Sequence, residues 1–304
     1  MKNYRNYKKL EVEYEDKIAK KYNQLYHGTP ISDAYDQDFV NFIKKNLKPG
    51  FKVLDLGCGA AGLWPLLLKI PQVKFVGADV SPGMIREAKK LFPKEKFIVA
   101  DAEKTPFDNE EFDVIICSSI LHHLPTPQKS FKEIRRILKP YGILMGREPQ
   151  NDQFINETDP WIAGAITSLM HLVNRKEKFL KTNEPPIHEF HHAYKLTDFI
   201  NKDLGQYFVV KDLVSKYPFS HIFAKTKNAF YGRIILKTDQ FLSSYKGNQF
   251  YYTAIKDGYG KTEVLSYINT YLNNLDKNSK KVPLRFIKRL IWLTAFFDLI
   301  LPRK

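Results

Sequence analysis

The stretch Val53–Gly62 constrains the fold of this 304-residue chain most, and it reads Val-Leu-Asp-Leu-Gly-Cys-Gly-Ala-Ala-Gly. Its first four residues, Val53–Leu56, predict a buried strand that contains one acidic side chain. Glycines follow at Gly57, Gly59 and Gly62, and an apolar run compatible with a helix comes next. A strand that enters a helix through such a turn predicts an open α/β sheet with a ligand crevice at the carboxyl ends of its strands.

The acid within the predicted strand indicates which ligand this crevice binds. The glycine spacing also fits the dinucleotide fingerprint, but Asp55 lies two residues before the first glycine and would repel a pyrophosphate. S-adenosylmethionine has no phosphate, and its ammonium and sulfonium groups would be attracted to a carboxylate. The stretch therefore resembles motif I of the class I S-adenosylmethionine-dependent methyltransferases, with Ala61 at the third alternate position and the glycine displaced to Gly62.

Composition indicates the cellular compartment and the class of partner. The two cysteines, Cys58 and Cys117, lie in apolar strand-like contexts, which favours reduced thiols in the cytoplasm. We expect neither an amino-terminal signal nor a membrane-spanning helix, since no stretch reaches roughly 18 uncharged apolar residues. The formal charge is +15, but the last thirty residues alone contain 8 basic and 2 acidic side chains. Much of the excess therefore lies in the tail, and nucleic acid is not the expected partner.

Strand-like and helix-like runs alternate along the chain. This alternation predicts an α/β fold with a doubly wound, mostly parallel, Rossmann-like sheet. The resemblance implies seven strands with the last one antiparallel, a helical insertion on the substrate side at about 150–190, and a lead-in helix that covers the cofactor. We expect three parts: a helical lead-in at 1–50, a cofactor-binding domain at 51–257, and a helical carboxyl-terminal extension at 258–304. The predicted strands are 53–56, 73–79, 96–100, 112–118, 143–148, 207–214 and 249–256.

Two acids, Asp79 and Asp101, stand at the ends of the second and third predicted strands. Asp79 comes twenty residues after Gly59, where a carboxylate can accept two hydrogen bonds from a ribose diol. The run 100–113 matches the resembled family closely, which implies that Asp101 meets the adenine amino group and that the adjacent backbone meets a ring nitrogen. The predicted cofactor-binding residues are Asp55, Leu56, Gly57, Cys58, Gly59, Asp79, Val80, Met84, Asp101, Ala102, Ser118 and Tyr22.

Histidines are the candidates for removing a proton from a methyl acceptor, because their pKa lies near neutrality. His122 follows the fourth strand, whereas His191 and His192 lie in the predicted insertion, and these three are the proposed catalytic residues. For the neighbouring His123 a structural hydrogen-bonded role is favoured. No cysteine or acid pair of recognisable spacing accompanies the histidines of the insertion, so no metal site is expected.

The resemblance is closest to the small-molecule group that includes quinone and sterol methyltransferases. It implies transfer of a methyl group from S-adenosylmethionine to a small or lipid-linked molecule by in-line displacement, in enzyme class 2.1.1. A nicotinamide-dependent oxidoreductase, a nucleic-acid methyltransferase and a non-catalytic cofactor-binding protein are the alternatives. The fourth strand lacks the Asn/Asp-Pro-Pro-aromatic run of base amino methyltransferases, which counts against methylation of nucleobases.

The tail segment 282–301 has basic residues at its start and is then nearly all apolar. It is too short and too charged to span a bilayer, but a basic, aromatic-rich helix suits a membrane interface. A helix packed on the domain or on a second subunit is the equally favoured alternative. The expected location is therefore the cytoplasm, with peripheral binding to the inner face of the membrane left open.

Overall fold

The computed structural model describes residues 2–151, 193–218, 229–243, 247–256, 269–275 and 277. The predicted insertion with His191 and His192, and the tail helix at 282–301, lie outside these residues. The helices are α1 (Lys2–Ile18), α2 (Tyr22–Tyr26), α3 (Pro30–Lys44), α4 (Trp64–Leu67), α5 (Pro82–Leu91), α6 (Gln128–Ile137), α7 (Leu196–Asp198) and α8 (Ala229–Phe241). The strands are β1 (Lys52–Leu56), β2 (Lys74–Asp79), β3 (Lys96–Val99), β4 (Phe112–Ser118), β5 (Leu138–Pro149), β6 (Val209–Lys216) and β7 (Gln249–Ile255).

The seven strands form one sheet in the order β3-β2-β1-β4-β5-β7-β6. Strands β1 to β5 are parallel to one another, and β7 pairs antiparallel with both β5 and β6. The predicted mostly parallel sheet with an antiparallel last strand is therefore confirmed. The strand order reverses between β1 and β4, and in sheets of this kind the ligand crevice lies at that reversal.

Helices cover both faces of the sheet, as a doubly wound architecture requires. Successive side chains of a strand point to opposite faces, so Val53 of β1 enters one hydrophobic cluster and Leu54 the other. The first cluster includes Phe39 of α3, Trp64 of α4, Ile85 of α5 and Ile235 of α8. The second includes Phe131 and Ile134 of α6, Leu196 of α7 and the nearby Phe199.

Strands β5 and β6 begin more than one residue away from their predicted starts. Strand β5 begins at Leu138 and not at 143, and Leu138 pairs there with Phe112 of β4. Strand β6 starts two residues late, since Tyr207 follows a 3-10 turn and Phe208 packs against Phe131.

Two helices also have local features at their ends. Helix α3 begins at Pro30, because Thr29 and Ser32 form a capping box ahead of the apolar pattern. Helix α4 is regular only over Trp64–Leu67.

The amino-terminal helix α1 is attached to the carboxyl edge of the sheet by side-chain contacts. Asp16 accepts hydrogen bonds from the Gly83 amide at 2.6 Å and from the Ser81 hydroxyl at 2.5 Å. Lys8 forms ion pairs with Asp101 at 2.7 Å and with Glu103 at 2.6 Å. These contacts place α1 beside the residues that follow β2 and β3. Of the helices in the described part of the chain, none is long and apolar enough to cross a bilayer.

Candidate functional site

The glycine turn after β1 is held against the end of β2 by two backbone hydrogen bonds. The amides of Gly57 and Cys58 both donate to the carbonyl of Ala78, at 2.7 and 3.0 Å. Gly57 has a φ of +78°, and a Cβ atom there would lie 2.6 Å from Cδ1 of Ile120. A side chain would therefore strain the turn and displace the loop after β4. The turn leaves bare backbone at the carboxyl ends of β1 and β2.

The displaced third glycine has a structural reason. Ala61 adopts a left-handed conformation with a φ of +60°, which alanine tolerates less well than glycine. A Cβ atom at Gly62 would collide with the imidazole ring of His27. The shift of the glycine to Gly62 therefore makes room for a histidine that comes from the segment between α2 and α3.

Asp79, the last residue of β2, joins the glycine turn to the start of α5. Its Oδ2 atom accepts a hydrogen bond from the Gly59 amide at 2.9 Å, and its Oδ1 atom accepts one from the Ser81 amide at 2.9 Å. Burial raises the pKa of Asp79 despite these two bonds, and the carboxylates of Asp16 and Glu11 add to the rise. Each oxygen retains a second lone pair, so the carboxylate can still accept hydrogen bonds from a diol.

Asp55 is buried in β1 and has one oxygen that no described group satisfies. Its Oδ2 atom accepts a hydrogen bond from Nε1 of Trp64 at 2.9 Å, whereas its Oδ1 atom has no hydrogen-bond partner among the described residues. The residue is 2% exposed. Burial raises the pKa of Asp55 to about 7, and the negative charge of Asp79 contributes to that rise. A buried carboxylate oxygen without a partner is costly, which indicates a place for a donor group of a ligand.

Two neighbouring cavities surround the turn. The first, here named the main crevice, comprises about 820 Å³ of space that is partly open to solvent, and the second, the side cavity, comprises about 740 Å³ of such space. Tyr22, Gly57, Ser118 and Ser119 line both cavities and therefore form their junction. The other predicted cofactor residues that line the main crevice are Leu56, Gly59, Asp79, Val80, Asp101 and Ala102. Asp55 and Cys58 line the side cavity.

One predicted cofactor residue, Met84, lines neither cavity. Its side chain is buried against Ala19 and Ala60, and its amide donates to the hydroxyl of Ser81 at 3.0 Å. Ser81 thereby caps α5, and the place of Met84 is in the packing beneath that helix start.

Helix α1 supplies one wall of the main crevice, through Tyr7, Lys8, Glu11 and Glu15. Lys8 pairs with Oδ2 of Asp101, while Oδ1 of Asp101 accepts the Glu103 amide at 2.9 Å. Burial raises the pKa of Glu15 to about 8, and repulsion from Asp79, Glu11 and Asp16 adds to the rise. These α1 residues were missed by the motif analysis, because the lead-in helix carries no fixed spacing relative to the glycine turn.

The two histidines after β4 have different surroundings. His122 forms a hydrogen bond with Glu148 at 2.8 Å, and the buried Glu148 carboxylate also accepts backbone amides of the turn that contains His122. His123 lines the main crevice and forms a hydrogen bond through Nδ1 with Glu11 at 2.6 Å. The geometry therefore brings His123, and not the predicted His122, to the crevice wall. His191 and His192 lie outside the described residues.

A buried ionic network forms the far wall of the side cavity. Arg147 of β5 donates to Asp36 at 2.7 Å and to the Ser118 hydroxyl at 2.8 Å, and His27 forms a 2.6 Å hydrogen bond with the same Asp36. Burial alone would raise the pKa of Asp36, but the His27 hydrogen bond and the Arg147 charge lower it. The side cavity is thus lined by the Asp55 carboxylate, which has one oxygen unbonded among the described residues, and by the Arg147 guanidinium, which is paired with Asp36.

Comparison with known proteins identifies the domain. Residues 54–146 match a family described as a methyltransferase domain. The chain is 32% identical over 125 residues to a sterol 24-C-methyltransferase of Gibberella zeae, which covers 36% of this chain and 33% of that protein. It is 36% identical over 98 residues to a demethylmenaquinone methyltransferase of Chlorobaculum tepidum, which covers 32% of this chain and 40% of that protein. The chain thus spans a third to two fifths of the length of these relatives.

Among solved structures, a chain in the complex between the Haloferax volcanii Trm112 methyltransferase activator and a methyltransferase is similar, with a TM-score of 0.51. The match has 15% identity and covers 80% of this chain and 98% of that chain, so it bears on the fold alone. The domain match and the fold confirm the resemblance drawn from motif I: the chain has a class I methyltransferase domain, and S-adenosylmethionine is the cofactor of that class.

The raised pKa of Asp55 predicts a pH-dependent stability. The carboxyl has a usual pKa of 3.8 and about 7 in the fold, so its contribution is complete below about pH 4 and is lost as the pH rises through 7. Asp55→Asn keeps an oxygen for Trp64 but does not titrate. In the wild type, the free energy of unfolding should decrease between about pH 5 and about pH 8. In Asp55→Asn we expect this decrease to be smaller by about 2–4 kcal/mol. Urea denaturation at several pH values measures this difference.

Asp108→Asn, which removes an exposed carboxylate from the turn before β4, is the control for the loss of one acid. A profile of Asp55→Asn that runs parallel to the wild-type profile would show that the Asp55 carboxyl titrates normally in the fold.

Proposed function

We propose that this chain is an S-adenosylmethionine-dependent methyltransferase that acts on a small or lipid-linked molecule. The observation that carries the proposal is the pair of carboxylates on either side of the glycine turn, the partly buried Asp79 in the main crevice and the buried Asp55 in the side cavity. S-adenosylmethionine would offer its ribose diol to Asp79 and its ammonium group to Asp55. A dinucleotide would instead bring a pyrophosphate to an acidic turn, so the oxidoreductase alternative is not favoured.

In this proposal the two cavities hold the two halves of the cofactor. The adenosyl half occupies the main crevice, with its ribose on Asp79 and its adenine toward Asp101 and Ala102. The amino-acid half occupies the side cavity, where the free Oδ1 atom of Asp55 accepts a hydrogen bond from the ammonium. The sulfonium then lies near the junction of the cavities. Leu56, Gly57, Gly59, Val80, Ser118 and Tyr22 would line this path, and Cys58 would contribute its backbone.

The methyl donor is chemically activated before it binds, so the protein mainly has to align the reacting atoms. Holding the nucleophile, the methyl carbon and the sulfur in line lowers the barrier by several kcal/mol through the entropy of encounter already lost on binding. Ser118 is the last residue of β4 and Ser119 follows it, at the edge from which an acceptor would approach. Ser119 has a φ of +57°, a strained conformation that is stabilised by the hydrogen bond that its amide donates to the Arg147 carbonyl.

An acceptor that carries a proton on its nucleophilic atom needs a base. His123 is favoured for this step by its place on the crevice wall and by the Glu11 carboxylate at its Nδ1 atom, an arrangement that orients the ring and supports an imidazolium. His122 holds the turn through Glu148 and is the weaker candidate. His191 and His192 stay proposed acceptor-side residues.

The acceptor class rests on the relatives. One is named for a sterol and another for demethylmenaquinone, both of which are apolar molecules, and this supports a small or lipid-linked acceptor. A nucleic-acid acceptor is not favoured, because the two relatives named above are a sterol and a demethylmenaquinone methyltransferase and because the motif of base amino methyltransferases does not follow β4.

Cofactor binding depends on Asp79 if the ribose lies against it. Asp79→Asn replaces an acceptor oxygen by an amide and removes the charge that strengthens the hydrogen bonds. We expect the affinity for S-adenosylmethionine, measured by calorimetry, to fall about 10–100-fold. Asp113→Asn is the matched control, because Asp113 lies near the opposite end of β4 and bonds Lys52 and Lys139. Equal losses in the two variants, or binding of a nicotinamide cofactor by the wild type, would contradict the assignment.

The acceptor can be sought with radiolabelled methyl donor. Purified chain is incubated with S-[methyl-³H]adenosylmethionine and with separate lipid and aqueous extracts of the source cells. We expect label in the lipid extract, since the relatives support an apolar acceptor. Label confined to the aqueous extract would move the acceptor to polar metabolites, and label in neither extract with intact cofactor binding would favour a non-catalytic member.

We further propose that the segment 282–301 brings the domain to a membrane surface where such acceptors are dissolved. A chain truncated after residue 277 should lose binding to vesicles that contain anionic lipid, because the basic residues at the start of that segment are removed. Flotation of both chains with anionic and neutral vesicles measures this. Absence of vesicle binding by the full chain would leave a packing role for the segment.

A further inference from the structure

We infer that the carboxylate of Glu15 on α1 makes the cofactor site select the charged sulfonium donor over the neutral thioether product. This inference rests on the proposed function and adds a residue and a property to it. The donor and the product, S-adenosylhomocysteine, differ by one methyl group and one positive charge at sulfur. A site that distinguishes them must therefore sense charge near the junction of the main crevice and the side cavity.

Carboxylates surround that junction from three elements. Asp79 at the end of β2 lies in the main crevice, and Glu15 of α1 faces the same crevice. Asp55 of β1 lies in the side cavity, and its buried Oδ1 atom has no partner among the described residues. Tyr22, which lines both cavities, is close enough to Glu15 and Asp79 that both charges raise the pKa of its phenol, after the larger effect of burial. A cation at the junction would thus have acidic groups on both sides.

The cationic groups near Glu15 are already engaged. Lys8, the permanently charged side chain among the described residues of the crevice wall, pairs with Asp101 and Glu103. His123 is bonded to Glu11. Glu15 itself has no hydrogen bond or ion pair among the described residues, and it faces Glu11 and Asp16 of its own helix and Asp79 of β2. A carboxylate oxygen of Glu11, a carboxylate oxygen of Glu15 and a ring nitrogen of His123 lie within 4.8 Å of one another. This spacing suits a positive charge that the three groups share.

This environment holds a proton on Glu15 until a cation arrives. Its pKa is raised to about 8 by burial and by repulsion from Asp79, Glu11 and Asp16. A sulfonium nearby favours the ionised form, so donor binding at about pH 7.5 should release a proton. A neutral thioether does not favour the ionised form, so product binding should release only the protons that its ammonium displaces from Asp55, whose pKa is raised to about 7. For the same reason, donor affinity should rise more steeply than product affinity as the pH increases toward 8.

Methyl transfer then removes the charge that the site recognises. The bond between sulfur and the methyl carbon breaks with its electron pair kept by sulfur, and a new bond forms between that carbon and the nucleophile. The acceptor proton leaves to a base. The sulfur is now neutral and the carboxylates have lost their cation, so the product is held less tightly and can leave.

The test is titration calorimetry of the full chain with S-adenosylmethionine and with S-adenosylhomocysteine. The variant is Glu15→Gln, and the matched control is Glu13→Gln, whose carboxylate lies on the same helix but is 58% exposed and pairs with Lys9. We expect the ratio of donor to product affinity to fall about tenfold in Glu15→Gln and to stay at the wild-type value in Glu13→Gln. Repeating the wild-type titrations in buffers of different ionisation enthalpy counts the protons released, and this measurement requires no variant.

The outcomes separate this inference from the proposed function. If neither compound binds the wild type, the proposed function fails and the inference fails with it. If both bind, but Glu15→Gln keeps the wild-type ratio or the wild type releases equal numbers of protons with donor and product, the function stands and the role of Glu15 is wrong. A lower ratio in Glu15→Gln together with release of more protons by the donor than by the product supports the inference.

Discussion

The candidate site depends on two carboxylates beside the glycine turn, the buried Asp55 of β1 and the partly buried Asp79 of β2. Asp79 holds the glycine turn to the start of α5 through two backbone amides, and Asp55 is fixed by the indole of Trp64. Burial raises the pKa of both groups, so each would be easier to bury as an apolar residue. Their presence at the carboxyl edge is explained by a ligand that offers hydroxyl and cationic donors at these two positions.

The sequence pattern predicted the sheet and brought most of the candidate cofactor residues to one crevice, because the physical requirements are local there. Motif I needs a strand, bare backbone and a following helix within ten residues, and β2 must end in an acid that reaches the turn. Nine of the twelve candidate residues line the main crevice, among them Gly57, Asp79 and Asp101. Met84 lines neither cavity, because its side chain is buried in the packing beneath the start of α5.

What could not be predicted comes from parts of the chain that are distant in sequence. The pairing of His123 with Glu11 joins a turn after β4 to the amino-terminal helix, 112 residues away. The Arg147, Asp36 and His27 network likewise joins β5, α3 and the segment before α3. No spacing rule connects these segments, since the contact is set by how α1 and α3 lie on the sheet. The sequence therefore could not predict that His123, and not His122, lies on the wall of the main crevice.

The amino-terminal helix α1 sets the charge of one crevice wall. It closes one wall of the crevice and contributes more carboxylates than cations to it, so the wall attracts positive charge while Lys8 holds the helix to Asp101. The domain match is confined to residues 54–146, and helix α1 lies outside it.

The most direct measurement of the central claim is a crystal structure of the chain grown with S-adenosylhomocysteine. The account predicts the adenosyl group in the main crevice, its ribose hydroxyls on the Asp79 carboxylate, and the amino group of the homocysteine tail at Oδ1 of Asp55. Electron density that shows the crevice closed by side chains, or the nucleoside bound elsewhere with Asp55 and Asp79 unchanged, would contradict it.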